Sequence, residues 1–193
     1  MIDPRRLFWE ARHRDLEPGP PEPSVLEWLP LLRPGLALEV AAGRGRNSLA
    51  LARAGFRVVA VDYSETGLRI LHSAAQAAGL AVFPVVADLR RFVVPPARFD
   101  LVVNISFLER FLVASLCAAL KPGGMLLFDT YLIDQAEAGA EAAGPSNPDY
   151  LLRRFELKSL LGGLELLRYR EGLVNYPNGR QAWRAAALVR RPG

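Results

Sequence analysis

From Leu36 onward the chain alternates short apolar runs with longer stretches of helical period, a rhythm that restricts it to a largely parallel sheet flanked by helices. The first run, 36–40, lies between Pro34-Gly35 and the small-residue loop Ala41-Ala42-Gly43-Arg44-Gly45. Leu49, Leu51, Ala52 and Ala54 then give a helix an apolar face, and Gly55 stops it before a second strand over 57–61. Ser64 is placed to cap a helix that runs to about 78 with Glu65 in its first turn, and Gly79 ends it. Strands follow at 81–86 and 99–103, then a helix at 107–120, the turn Lys121-Pro122-Gly123-Gly124 and a fifth strand at 125–130. Residues 134–150 carry neither period and are expected to form a mobile surface loop. A short helix over 155–161 precedes runs at 164–170 and 182–190, joined through Pro177-Asn178-Gly179, which predicts an antiparallel hairpin at the sheet edge. The fold class is therefore α/β, a Rossmann-like doubly wound sheet, mostly parallel. Residues 1–24, with the stiff Pro18-Gly19-Pro20-Pro21, read as an arm on a single domain over 25–193.

Composition excludes several classes. One cysteine, Cys117, permits no internal disulfide and no Cys-rich zinc site, so no metal is expected and a reducing, cytoplasmic setting is. No stretch approaches the roughly 20 apolar residues of a spanning helix and the first residues lack a signal-peptide core, so no membrane partner is expected. The net charge of +4 is spread in ones and twos along the chain, which argues against nucleic acid. Oligomeric state is left open.

In an open α/β sheet, ligands sit beyond the C-terminal ends of the strands, so the residues there are the ones to inspect. Glu39 and the Gly43-Arg44-Gly45 turn follow the first strand; the glycines admit a ligand close to the backbone and to helix N-terminal NH groups. Asp62 ends the second strand within about 20 residues of the glycines, and its acceptor-only carboxylate matches the two donors of a ribose diol. Asp88 after the third strand can accept an adenine amine while the NH of Leu89 meets a ring nitrogen, and Asn104 follows the fourth.

These residues carry a resemblance. Leu38-Glu39-Val40-Ala41-Ala42-Gly43-Arg44-Gly45-Arg46-Asn47, with Asp62, Asp88, Phe99-Asp100-Leu101-Val102 and Leu120-Lys121-Pro122-Gly123-Gly124, resembles the class I S-adenosylmethionine-dependent methyltransferases. The continuation Gly45-Arg46-Asn47-Ser48-Leu49-Ala50-Leu51-Ala52 is most similar to the small tellurite-resistance and thiopurine-type members. The resemblance implies the seven-stranded fold of that class, S-adenosyl-L-methionine as cofactor and S-adenosyl-L-homocysteine as product. It assigns Glu39 and the Gly43-to-Gly45 loop to the methionine portion, Asp62 to the ribose, Tyr63 to an adenine face, Asp88 and Leu89 to the adenine edge and Asn104 to the methionine end, with Ala41 and Asn47 also counted among the cofactor-binding residues. Trp9 and Arg12, in Trp9-Glu10-Ala11-Arg12, resemble a segment that folds over the cofactor; an amphipathic helix packed on the domain is the competing reading. Two departures stand out: Ala41-Ala42 replaces a glycine-led loop, and Glu39 replaces the commoner aspartate.

The resemblance implies methyl transfer to a small-molecule acceptor. The sulfonium is already activated, so transfer needs alignment more than a dedicated catalytic group, and no catalytic residue is assigned. A soft nucleophile such as a thiol or chalcogen oxyanion needs no base; for oxygen or nitrogen acceptors Glu109 or Tyr131 is available. Phe107, Arg110 and Tyr131 are expected to line the acceptor pocket, with His13 reaching it from the arm, whereas His72 sits within a helix. A nicotinamide-dependent oxidoreductase is disfavoured because Ser48 stands where the third glycine belongs. A non-catalytic cofactor-binding or interaction module of the same fold is the other alternative.

Overall fold

A computed structural model describes residues 3–14, 18–136, 144–145 and 147–193. Helix α1 (Pro4–Arg14) and helix α2 (Pro23–Trp28) precede strand β1 (Leu36–Val40); helix α3 (Arg46–Arg53), strand β2 (Arg57–Asp62), helix α4 (Glu65–Ala77), strand β3 (Val82–Val86) and strand β4 (Phe99–Ile105) follow. Helix α5 (Arg110–Ala118), strand β5 (Leu120–Tyr131), helix α6 (Glu156–Leu160) and strands β6 (Glu165–Asn175) and β7 (Gln181–Arg190) complete the order. One seven-stranded sheet runs β3-β2-β1-β4-β5-β7-β6, with β7 antiparallel to both of its neighbours. The strand order reverses between β1 and β4, and ligand crevices form where such a reversal parts the loops.

Alternation along the strands divides the core into two layers. Leu38 and Val40 face the side covered by Leu112 and Leu116 of α5 and Leu157 of α6. Ala37, Leu101 and Val103 face Val25 and Trp28 of α2, Leu49 of α3 and Leu68 and Leu71 of α4. Ser64 caps α4 as the sequence predicts, accepting from Gly67 N at 3.1 Å. The β6–β7 hairpin turns through Pro177-Asn178-Gly179, with Gly179 at φ +80° and Tyr176 N donating to Arg180 O at 2.8 Å. That is a three-residue loop closed by a left-handed glycine.

Four expectations are corrected. The helix expected over 107–120 starts later, because the Asn104 side chain holds Phe107 O at 2.8 Å and Glu109 is extended. The fifth strand starts earlier, because Leu120 pairs with Phe99 across an irregularity that absorbs the Pro-Gly-Gly turn. The ends of the expected 134–150 loop are short 3-10 turns, Ile133–Ala136 and Pro148–Tyr150, and buried Gln135 accepts from Trp183 N at 2.8 Å; residues 137–143 and 146 lie outside the described residues. The boundary expected after residue 24 falls inside α2, whose Ser24 is fully buried.

Candidate functional site

Glu39 is buried near the C-terminal end of β1, only 1% exposed. Asn47 Nδ2 donates to Oε1 at 3.0 Å and the Ser48 hydroxyl donates to Oε2, so the first turn of α3 grips the strand end. Burial pushes the carboxyl up to about 7, against the pull of those donors. The loop between passes through three left-handed residues, Ala41 (φ +52°), Gly43 (+55°) and Gly45 (+77°). A Cβ on Gly45 would stand 2.1 Å from Leu71 Cδ1 of α4, so packing and dihedral both require glycine there. Ala41 preserves the turn, as its size suggests, but with a methyl group in a strained region.

Asp62 ends β2, 7% exposed. Its Oδ2 accepts from Gly43 N at 2.7 Å and its Oδ1 from Ser64 N at 2.8 Å. Each oxygen retains a second lone pair for a diol. Tyr63 follows, its hydroxyl donating to Asp3 at 3.3 Å. Asp88 is half-buried and accepts from Arg90 N at 3.0 Å, while the Leu89 side chain enters the core. Asn104 is buried at the end of β4, just before Ser106 turns out of the strand at φ +58°. Glu39, Asp62, Asp88 and Asn104 thus all lie on one rim of the sheet, at or just beyond the strand ends.

Helix α1 lies across the glycine loop and the start of α4. The Glu10 carboxylate accepts from Glu65 N at 2.8 Å, Thr66 N at 3.0 Å and Ser64 Oγ at 3.1 Å. Burial works against this charge, but the donors at the positive end of α4 hold it down to about 2. The His13 ring comes within 3.4 Å of where a Gly43 Cβ would stand, and its buried Nδ1 has no hydrogen-bond partner among the described residues. Burial lowers the His13 pKa, only partly offset by Asp62. His13, expected in the acceptor pocket, therefore belongs to the glycine loop. Trp9 and Arg12, expected to face the cofactor, are exposed; Arg6, Glu10 and His13 form the inward stripe. Two cavities, about 520 and 200 Å³, are lined by Pro18 with α4 residues and by Pro34 with the Pro122–Met125 segment, and neither lining includes a rim residue.

Of the residues expected to line an acceptor pocket, half-buried Phe107 packs on the α5 layer. Arg110 is corrected: its guanidinium binds Glu156 at 2.6 Å, Asp149 O at 2.9 Å and Leu151 O at 2.8 Å, fastening the segment before α6 instead of facing an anion. Glu109 is paired with Arg90 at 2.9 Å. The Tyr131 ring centre stands 4.4 Å from the Arg184 guanidinium.

Arg184 anchors a buried polar cluster that no sequence motif announces. It is 1% exposed, donates to Asp129 Oδ1 at 2.7 Å and to Ser106 Oγ at 3.0 Å, and lies 3.5 Å from Glu22. Burial alone lowers its pKa, but the Asp129 and Glu22 carboxylates outweigh that and raise it. Ser24 Oγ donates to Asp129 at 2.5 Å, Tyr176 OH to Glu22 at 2.6 Å, Arg46 to Glu22 at 2.7 Å, and Glu22 N to Asn47 Oδ1 at 2.9 Å. Glu22 therefore joins α2, the hairpin and the Glu39-binding turn of α3. The available signal was an Asp and an Arg, each inside an apolar strand run, since charges are seldom fully buried unless paired.

The sequence matches the methyltransferase domain family over residues 37–124. Over 126 residues it is 33% identical to a ubiquinone biosynthesis O-methyltransferase of Methylobacterium sp. (strain 4-46), covering 62% of this chain and 47% of that protein. The chain thus spans about half the length of this curated relative. Among solved structures, TehB from Haemophilus influenzae superposes with a TM-score of 0.74 at 20% identity over 89% of this chain and 62% of its own. A protein whose structure describes conversion of a disulfide bond into a thioacetal group during echinomycin biosynthesis superposes with a TM-score of 0.76 at 22% identity, over 97% and 92%.

Proposed function

We propose that the chain, which matches the methyltransferase domain family over residues 37–124 and has the fold of the class I S-adenosylmethionine-dependent methyltransferases, transfers a methyl group from S-adenosyl-L-methionine to a small-molecule acceptor. The observation that carries this reading is the pair of buried carboxylates, Glu39 and Asp62, framing a loop whose glycines are left-handed. Glu39 has neutral donors and, among the described residues, no cation at ion-pair distance, which suits the ammonium of the methionine portion. The spare lone pairs of Asp62 suit the ribose hydroxyls, Tyr63 an adenine face, Asp88 and the Leu89 NH the adenine edge, and Asn104 the methionine end. Gly43 and Gly45 keep the backbone open to close approach, with Ala41 completing the turn. Asn47 acts through Glu39, which it orients. When bound, the cofactor supplies an electrophilic methyl group.

The protein's part is then alignment and exclusion of water. Phe107 and Tyr131 flank the acceptor, and the Glu22–Arg184–Asp129 cluster fixes the hairpin and Tyr131 against the rim. Of the two candidate bases, Glu109 is engaged by Arg90 at 2.9 Å and the Tyr131 ring stands against the Arg184 guanidinium. That supports an acceptor able to attack without a base, a thiol or chalcogen oxyanion. An oxygen acceptor is the second reading, favoured by the name of the curated relative.

Titration calorimetry with S-adenosyl-L-homocysteine beside NAD, repeated on Asp62→Ala, tests the proposal. Selective binding of the former, weakened by the substitution, is expected; preference for NAD or no binding of either overturns it. Turnover with thiol, chalcogenite and phenol panels then separates the acceptor classes, and tight binding without turnover on any of them points to a non-catalytic module.

A further inference from the structure

Helix α1 is built inside out. Arg6, Glu10 and His13, spaced i, i+4, i+7, face the domain, and no residue of α1 is buried. Pro4, Leu7, Phe8 and Ala11, spaced i, i+3, i+4, i+7, form one apolar stripe on the opposite side, with Leu7 54% and Phe8 57% exposed. Trp9, 43% exposed, borders the stripe, its ring set edge-on to Phe8 at 5.2 Å. An amphipathic helix that merely covered the domain would turn this stripe inward. Here polar contacts hold the helix instead: Glu10 at the N-terminus of α4, Arg6 to Glu65 at 3.3 Å and Tyr63 to Asp3.

The cations of α1 lie beside the stripe. Arg12 and Arg14 are exposed, Arg5 is exposed and paired with Asp3, and the one acidic residue of the helix, Glu10, points inward. We propose that this face of α1 docks on a lipid bilayer surface carrying anionic headgroups, with Leu7 and Phe8 entering the acyl boundary and Arg12 and Arg14 meeting the headgroups. Such a surface supplies the apolar interior and the negative charge together, as basic amphipathic helices lying in the interface require. A second copy fits less well, since stripe-to-stripe contact would bring the flanking arginines of both copies together. The net charge of +4 acts in the same direction as the arginines. This docking is peripheral: among the described residues, no helix is long and apolar enough to cross a membrane. It is also independent of the chemistry proposed for the rim.

Sedimentation with phosphatidylcholine vesicles, with and without phosphatidylglycerol, tests the proposal. The double substitution Leu7→Asp/Phe8→Asp is compared with Leu173→Asp, which alters an exposed leucine on β6. The expected result is binding to the anionic vesicles alone, weakened at least about tenfold by the α1 double substitution and unchanged by Leu173→Asp. Trp9 emission should shift to the blue as those vesicles are added. Absence of binding, or binding indifferent to Leu7 and Phe8, overturns the proposal. So does a vesicle-free dimer that the double substitution dissociates, or burial of the stripe by S-adenosyl-L-homocysteine alone in hydrogen exchange.

Discussion

Replacing Glu39 by glutamine should make the protein more stable and its cofactor binding worse. Burial raises the Glu39 carboxyl to about 7 from an ordinary 4.5. An acid raised on folding contributes stability that is complete below its unfolded pKa and is lost as pH climbs through the folded one. The wild-type protein therefore loses stability between about pH 4.5 and 7, and at about 1.4 kcal/mol per pH unit the full loss is on the order of 3 kcal/mol. Glutamine keeps the local bonds, since its oxygen can accept from Asn47 Nδ2 and its amide can donate to Ser48 Oγ, and it never ionises. In a domain of this size the gain at pH 8 corresponds to a rise in Tm of roughly 6–12 °C, shrinking toward zero near pH 4.5. Thermal unfolding of both proteins from pH 4.5 to 8.5 measures the difference, and taking the difference cancels other titrating groups. Calorimetry with S-adenosyl-L-homocysteine should show weaker binding to the variant. A variant no more stable than wild type at pH 8 would refute the reasoning, because the folded protein would then hold the ionised Glu39 as well as water does and its pKa would not be raised.

Three further substitutions probe the rim by chemical denaturation. Gly45→Ala should cost about 3 kcal/mol, since its Cβ overlaps Leu71 and its φ is +77°; a neutral result would mean the loop can move off α4. Ala41→Gly should stabilise by about 1 kcal/mol by relieving a left-handed alanine, and a loss of stability would show that the methyl group's packing outweighs the strain. Arg184→Met leaves Asp129 and Glu22 buried without their main cation and should cost about 3–5 kcal/mol, with Asp129→Asn in the same chain recovering part of it. If the two substitutions are simply additive, the residues do not act as a pair.

The sequence made the strands legible because parallel strands buried on both faces are continuous apolar runs bounded by glycine and proline, as at 36–40 and 57–62. Glu39, Asp62, Asp88 and Asn104 were legible because topology alone carries strand ends to one rim. Their partners were not. Glu22 lies in a proline-rich stretch that reads as linker, and its links to Arg46, Tyr176 and Asn47 span up to 154 positions of sequence. Arg110 is chemically apt for an anion, but only the fold brings Glu156 and two carbonyls to it. Helix α1 carries a clear 3.6-residue stripe, yet periodicity fixes the width of an apolar face and not the direction in which it points. That direction is set by Glu10, whose three donors exist only once α4 has formed.

Three of the strands that meet this rim end in a buried carboxylate, and the protein satisfies them unequally. Asp129 on β5 has a guanidinium at 2.7 Å. Asp62 on β2 has two backbone NH groups and the open edge of the glycine loop. Glu39 on β1, equally deep, has among the described residues neutral donors from Asn47 and Ser48 and no cation at ion-pair distance, because the nearest arginine of α3, Arg46, is drawn to Glu22 at 2.7 Å. Removing Glu22 should therefore free Arg46 to approach Glu39, lower the pKa of that carboxyl and put a protein cation where a ligand ammonium would otherwise bind. Glu22→Gln is then expected to weaken S-adenosyl-L-homocysteine binding without touching it directly, and to flatten the wild-type stability profile between about pH 4.5 and 7. A variant with the wild-type profile but weaker binding would assign Glu22 to loop geometry alone. Unchanged binding with a flattened profile would mean that the ammonium is held by something other than Glu39.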